Sequence, residues 1–284
     1  MPSKSEESSP PFWLWPNLLS LDAPLVAVLW QGFLAYRFSL PLRPPARLVL
    51  GLTVWAIYLS DRLLDARKPP SLCEPARHRY YRRHSKLMAA LLALVLVADG
   101  WIAILRLRPA ILREGLIPLV GVLAYLATIH IAGRSLKIPK EKIPKEKIPK
   151  EKIPKEIAAA ILFTAGTFLT AWATLPCSNL AWAALAFFVL CLANIIAIEA
   201  WEWRELRATV PHPFTRWLAR TYLFWVPAAV ILCAAGRNPW YTSIALSAAA
   251  CALLFWLGRR LSLEARRALV DGALLSPILF LMLK

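Results

Sequence analysis

Charge is scarce in this chain, and acids are scarcer than bases. Asp, Glu, Lys and Arg make up 18% of the 284 residues, below the roughly 25% of an ordinary soluble domain. Cysteine is sparse as well. Cys73, Cys177, Cys191, Cys233 and Cys251 are odd in number and show no CxxC spacing, so neither a disulfide framework nor a cysteine metal motif is indicated. The four histidines, His78, His84, His130 and His212, have no metal-ligand spacing with another His or Cys. No Ser/His or Cys/His constellation suggests a covalent nucleophile. What fills the chain instead is apolar: 58% hydrophobic residues and a mean hydropathy of +0.52. That excludes a disordered chain, a coiled coil and a disulfide-stapled secreted domain. A polytopic, all-α membrane protein is expected.

About 20 apolar residues cross a bilayer as one helix. Nine apolar blocks follow one another, at about 18–36, 46–64, 86–105, 111–131, 157–175, 180–200, 217–235, 240–257 and 268–283. The second is short unless its helix runs on through the polar Ser60–Asp65. Met1–Pro16 is polar and Pro-rich, lacks the pattern of a cleavable signal peptide, and is expected to be a flexible tail. Residues 17–283 then form one transmembrane domain.

A net charge of +17 would suggest nucleic acid in a soluble protein. Here the charges lie between apolar blocks, so the positive-inside rule accounts for most of them and no nucleic-acid partner is expected. Of the 34 Lys and Arg, 25 lie in the connections after even-numbered blocks and seven in those after odd-numbered blocks. Leaving out the whole connection after the fourth block, the balance is still 16 to seven. The expectation is a cytoplasmic N-terminus, an external C-terminus and, for a bacterial protein, residence in the inner membrane.

Residues 137–156 are four copies of Lys-Ile-Pro-Lys-Glu. A proline every five residues removes a backbone donor each time and forbids a regular helix, so an extended strap is expected. It serves either as a spacer or as a contact for anionic lipid headgroups. Deleting one or two units, while keeping Pro154-Lys155-Glu156 at the head of the fifth span, is expected to leave expression and activity nearly unchanged. A doubling of loop length costs only about 0.6 kcal/mol. Loss of expression on removing a single unit would show that the strap has a specific partner.

Ionisable groups at a membrane are expensive and mark function. Asp61 and Asp65 lie four apart at the cytoplasmic end of the second block, in Tyr58-Leu-Ser-Asp-Arg-Leu-Leu-Asp-Ala-Arg67. On a continuing helix both face one way. Such a pair suits Mg²⁺, which takes one or two carboxylates, keeps waters and binds substrate phosphates. The alternative is a solvated helix end paired with Arg62, Arg67 or Lys68. After the sixth block stand Asn194, Glu199, Glu202 and Glu205. The glutamates are three apart and spread slowly around one face. They are either a second metal cluster, with Glu202 aligned with Asn194, or a polar helix end served by Arg204 and Arg207. Arg79 and Arg82, with Arg77 and Arg83, follow the second block, and Arg134 and Lys137 follow the fourth. Arginine forks match phosphate oxygens, so these are candidate diphosphate-binding residues, with topology and headgroup contact as the alternative. Asp22, Asp99 and Asp271 sit inside blocks and either line a cavity or make interhelical hydrogen bonds. Trp201 and Trp203 either belong to an interfacial belt or the packed core, or turn their ring faces to a cation.

Nine blocks with acidic motifs after the second and the sixth resemble the UbiA-type membrane-embedded prenyltransferases. The specific likeness lies in 58–67 and 194–205. Asp61 and Asp65 match the last two aspartates of that family's first motif, with Ile57 where its asparagine stands. The second motif's Asp-x-x-x-Asp is replaced by glutamates at spacing three, and the family's Tyr-x-x-x-Lys after the fourth helix is absent. The resemblance implies about nine helices around a central cavity open to the cytoplasmic side. It implies Mg²⁺ held by Asp61, Asp65, Glu199, Glu202 and Glu205, with Asp61, Asp65 and Glu202 at the catalytic centre and Arg79, Arg82, Arg134 and Lys137 on the substrate diphosphate. The reaction implied is transfer of a prenyl group from a polyprenyl diphosphate to a lipid-soluble, aromatic or other acceptor among the membrane lipids. The other reading of the altered second motif is a non-catalytic lipid-binding or transport relative with the same fold.

Overall fold

The computed structural model describes residues 11–67, 76–131, 154–206, 211–236 and 238–282. The repeat up to residue 153, with Arg134 and Lys137, lies outside them.

Helix begins earlier than the expected tail allows. A 3₁₀ turn at Phe12–Leu14 leads into α1 (Trp15–Leu18), and Leu14 and Asn17 are buried. Ser20 then adopts φ 55°, a left-handed conformation that costs a non-glycine residue and persists only where its surroundings hold it. Its buried hydroxyl lies 3.0 Å from the Tyr81 hydroxyl, which supplies that hold. The chain bends by 80° there before α2 (Asp22–Arg37).

The remaining helices are α3 (Pro44–Ala66), α4 (Ala76–Arg83), α5 (Ser85–Arg106), α6 (Pro109–Ile131), α7 (Lys155–Trp172), α8 (Cys177–Leu206), α9 (Pro213–Arg220), α10 (Tyr222–Ala234), α11 (Pro239–Leu257), α12 (Leu263–Ala273) and α13 (Pro277–Met282). Each apolar block of the sequence contains helix among the described residues. α3 does run on through Ser60–Asp65, since no helix breaker interrupts Leu-Ser-Asp-Arg-Leu-Leu-Asp-Ala. Among the described residues, four helices are long and apolar enough to cross a bilayer: Ser85–Arg106, Pro109–His130, Cys177–Leu206 and Pro239–Leu257. The bent pairs Phe12–Leu18 with Asp22–Arg37 and Pro213–Arg220 with Tyr222–Ala234 raise that to six if each is one span. The last block is divided into α12 and α13. The Ser276 hydroxyl at the break lies 2.8 Å from the Ser243 hydroxyl and 2.7 Å from that of Ser247, both on α11. At the same break the Ser247 hydroxyl donates to the Ala273 carbonyl at 2.7 Å, so a backbone acceptor beside the break keeps a partner.

α5 and α6 turn large side chains outward, among them Val97, Trp101, Ile104, Ile117 and Val120, each at least 64% exposed. So wide an apolar surface is what a bilayer covers. α8 is the central post. It packs against α7, α11, α12, α10 and α9. At its middle Trp30, Phe33, Phe168, Phe187 and Trp240 interlock, with Trp30 and Trp240 edge to face at 5.1 Å. Both indole N–H groups are satisfied. Trp30 donates to the Leu274 carbonyl at 2.8 Å and Trp240 to that of Ala183 at 3.3 Å. Gly121 allows α6 to approach α7, because a Cβ there would sit 2.9 Å from a Leu162 methyl.

Candidate functional site

The charged ends of α3, α4, α6, α7, α8 and α12 meet at one end of the bundle. On α3, Asp61 and Asp65 share a face and a neighbour. His130, 7% exposed near the end of α6, sets Nε2 3.1 Å from Asp61 Oδ1 and Nδ1 4.0 Å from Asp65 Oδ1. On α4, His78 Nε2 lies 3.8 Å from Asp65 Oδ2. Arg62 reaches Asp61 at 3.7 Å. The Asp61 and Asp65 side chains remain 29% and 19% exposed, so water reaches them.

The His78 contact is no ion pair at neutral pH. Burial first, then the charges of Arg77 and Arg62, push the imidazole down to about 4 against the opposing pull of Asp65 and Glu202. An unfolded histidine titrates near 6.5. Protonation therefore favours the unfolded chain, and the stability that the neutral ring contributes is lost as pH falls below about 6.5. His78→Gln should remove the part of the acid sensitivity seen between about pH 6.5 and 5 in detergent unfolding midpoints. Equal slopes for the two proteins would refute this.

The three glutamates of α8 do not converge. At about 100° per residue, three-residue steps fan them over about 120° of the helix, and each meets a different base. Lys155, the first residue of α7, donates to Glu199 Oε2 at 3.1 Å. Glu205 pairs with Arg266. Glu202 stands between them and receives two guanidinium groups on one oxygen. Arg77 NH2 is 3.0 Å and Arg267 NH1 3.1 Å from its Oε1. Arg267 is fully buried, and its Nε, NH1 and NH2 make no aligned hydrogen bond; Arg77 Nε is also buried without one. Burial, with Arg62 nearby, works against the Arg77 cation. Of the arginines expected on α4, Arg79 is exposed and Arg82 half-buried.

The acids inside the blocks take hydrogen bonds. Asp99 accepts from Thr53 at 2.8 Å across α3 and α5. Asp22 accepts from Asn17 at 2.8 Å, and Asp271 from Asn194 at 3.1 Å. Glu156, 2% exposed, accepts from Thr215 at 2.8 Å. Trp201 is a packing residue: it stacks near Phe255 at 6.1 Å, with the Arg266 guanidinium 5.5 Å above its ring.

Mg²⁺ can be tested against these donors. Among the described residues no group of three or more His, Cys, Asp or Glu is placed to hold a metal. Asp61 and Asp65 nevertheless suit one Mg²⁺, which needs only one or two carboxylates and keeps its waters. Their close partners His130 and His78 each leave a buried ring nitrogen without a hydrogen bond, and water has access. Glu199, Glu202 and Glu205 do not suit a second ion, because each carboxylate is already matched by a fixed Lys or Arg charge.

No family model matches this chain, and no curated protein or solved structure matches it either.

His130, Lys155 and Arg267 belong to this site although sequence reasoning did not select them. His130 is the last polar residue of its apolar block, Lys155 is the last lysine of the repeat, and Arg267 lies four before Asp271.

Proposed function

We propose that this chain is a UbiA-type membrane-embedded prenyltransferase of divergent sequence, with nine helices crossing or entering the membrane around a cytoplasmic-side polar centre. The proposed donor is a polyprenyl diphosphate and the acceptor a lipid-soluble compound, aromatic or other. One observation carries the reading: α4 joins the two acidic clusters. Its Arg77 binds Glu202 of α8 at 3.0 Å, and the adjacent His78 lies 3.8 Å from Asp65 of α3. A motif after the second block and one after the sixth thus border one polar centre within an otherwise apolar bundle. The charge counts support a cytoplasmic position for that centre.

In this reading Asp61 and Asp65 hold Mg²⁺, which when bound neutralises the leaving diphosphate. His130 keeps the two carboxylates on one side of α3. Arg77 adds positive charge beside the phosphate oxygens. The apolar helices receive the isoprenoid tail and exclude water from the allylic cation as its C–O bond breaks. No protein nucleophile is required.

The paired state of Glu199, Glu202 and Glu205 favours a second reading, a non-catalytic relative that binds prenyl diphosphates. Membranes containing the protein, supplied with prenyl diphosphates of several lengths, separate the two by mass spectrometry of lipid extracts with and without Mg²⁺. Mg²⁺-dependent prenylated product with diphosphate release is the expected result. Binding without release would identify the carrier, and absence of both would sink the proposal.

A further inference from the structure

We infer that Arg267, with Arg77, is the diphosphate-binding group on the α8 side of the site, standing where a second metal ion would otherwise be needed, so that this chain binds diphosphate with one divalent ion rather than two. The inference deepens the prenyltransferase reading and rests on it.

Arg267 on α12 is 0% exposed. A buried guanidinium normally has its five N–H donors satisfied, because each one left without a partner forfeits the hydrogen bonds it made to water. Here none of the three nitrogens has an aligned partner. Glu202 offers charge at 3.1 Å but not geometry, and the same Oε1 atom is shared with Arg77 at 3.0 Å. Two positive groups on one carboxylate oxygen leave a surplus positive charge and several idle donors in a nearly dry place. A group with several acceptor oxygens and more than one negative charge would satisfy them. A diphosphate is such a group, and planar forks match its oxygens in pairs.

The neighbours fix which end of the site this is. Arg77 of α4 binds Glu202 on α8, and the next residue of α4, His78, lies 3.8 Å from Asp65 on α3. A diphosphate reaching from a Mg²⁺ on Asp61 and Asp65 toward α8 therefore meets Arg77 and then Arg267. Glu202 serves as a positioning residue that holds both guanidinium groups in place until the phosphate arrives. This also accounts for glutamates at spacing three where two convergent carboxylates would be needed for a metal: with guanidinium charge present, a second ion is superfluous.

The test uses the full chain purified in detergent, with inorganic diphosphate as ligand and Mn²⁺ in place of Mg²⁺. Equilibrium dialysis reads diphosphate affinity, and electron paramagnetic resonance counts bound Mn²⁺. The wild type should bind one Mn²⁺ per diphosphate. Arg267→Gln should weaken diphosphate binding by about ten- to a hundredfold, the loss of one or two charge-assisted hydrogen bonds. Arg267→Lys keeps the charge but not the fork, guards against a folding failure, and should fall between the two. Two Mn²⁺ per diphosphate in the wild type, or unchanged affinity in Arg267→Lys and Arg267→Gln alike, would overturn the inference while leaving the prenyl-donor reading intact. A wild type that binds no diphosphate with or without Mn²⁺ would overturn both.

Discussion

Carrying Asp61→Asn and Asp65→Asn together, the protein should still insert and fold but transfer no prenyl group. Asparagine keeps the size of aspartate and can still face His130, so the 3.1 Å contact between α3 and α6 survives as a neutral hydrogen bond. What disappears is the pair of negative charges that a hard cation requires. Diphosphate affinity in Mg²⁺ should therefore drop to the level measured in a chelator, and each single replacement should go part of the way. The loss can be read by binding as well as by turnover, which separates a metal role from a general loss of structure. Were the two aspartates only a solvated helix end, the change would be about 0–1 kcal/mol in stability and nothing in diphosphate binding. Full Mg²⁺-dependent transfer by the double variant would remove Asp61 and Asp65 from the catalytic assignment.

That prediction rests on the part of the site the sequence makes visible. Asp61 and Asp65 are four apart within a run that has no helix breaker, so a shared face follows from helical period alone. The existence of helix at every apolar block follows in the same local way. The breaks do not. The 80° bend before α2 depends on Ser20 meeting Tyr81, and the division between α12 and α13 depends on Ser276 meeting α11. Each partner is supplied by a distant segment. The basic residues show the same limit more sharply. In the sequence Arg267 and Arg79 are both arginines beside an apolar block, and the positive-inside rule accounts for either. Only the fold separates them, by burying one completely and leaving the other exposed. His130 was hidden for the same reason, since its aspartate partner lies 69 residues away.

Glu202→Ala should be among the most destabilising single changes in this chain, at about 3–5 kcal/mol, the usual cost of removing one member of a buried ion pair. The carboxylate is the shared partner of Arg77 and Arg267, and without it two guanidinium groups face each other across a space with little water. Relief comes from taking the stranded charge away rather than from restoring the acid. Adding Arg267→Met removes the fully buried cation and replaces it with a flexible apolar chain, so the double variant should recover much of the loss in detergent unfolding midpoints. A well-packed apolar replacement of a buried pair is often neutral or better. Glu202→Gln keeps one oxygen acceptor and should cost less than alanine. If Glu202 were instead a metal ligand with its charge balanced by an ion, the effect of Glu202→Ala would depend on divalent cation, and Arg267→Met would bring no recovery. A loss independent of chelator and reversed by Arg267→Met places the glutamate with the arginines, and makes α12 the element that carries the second charge of the site.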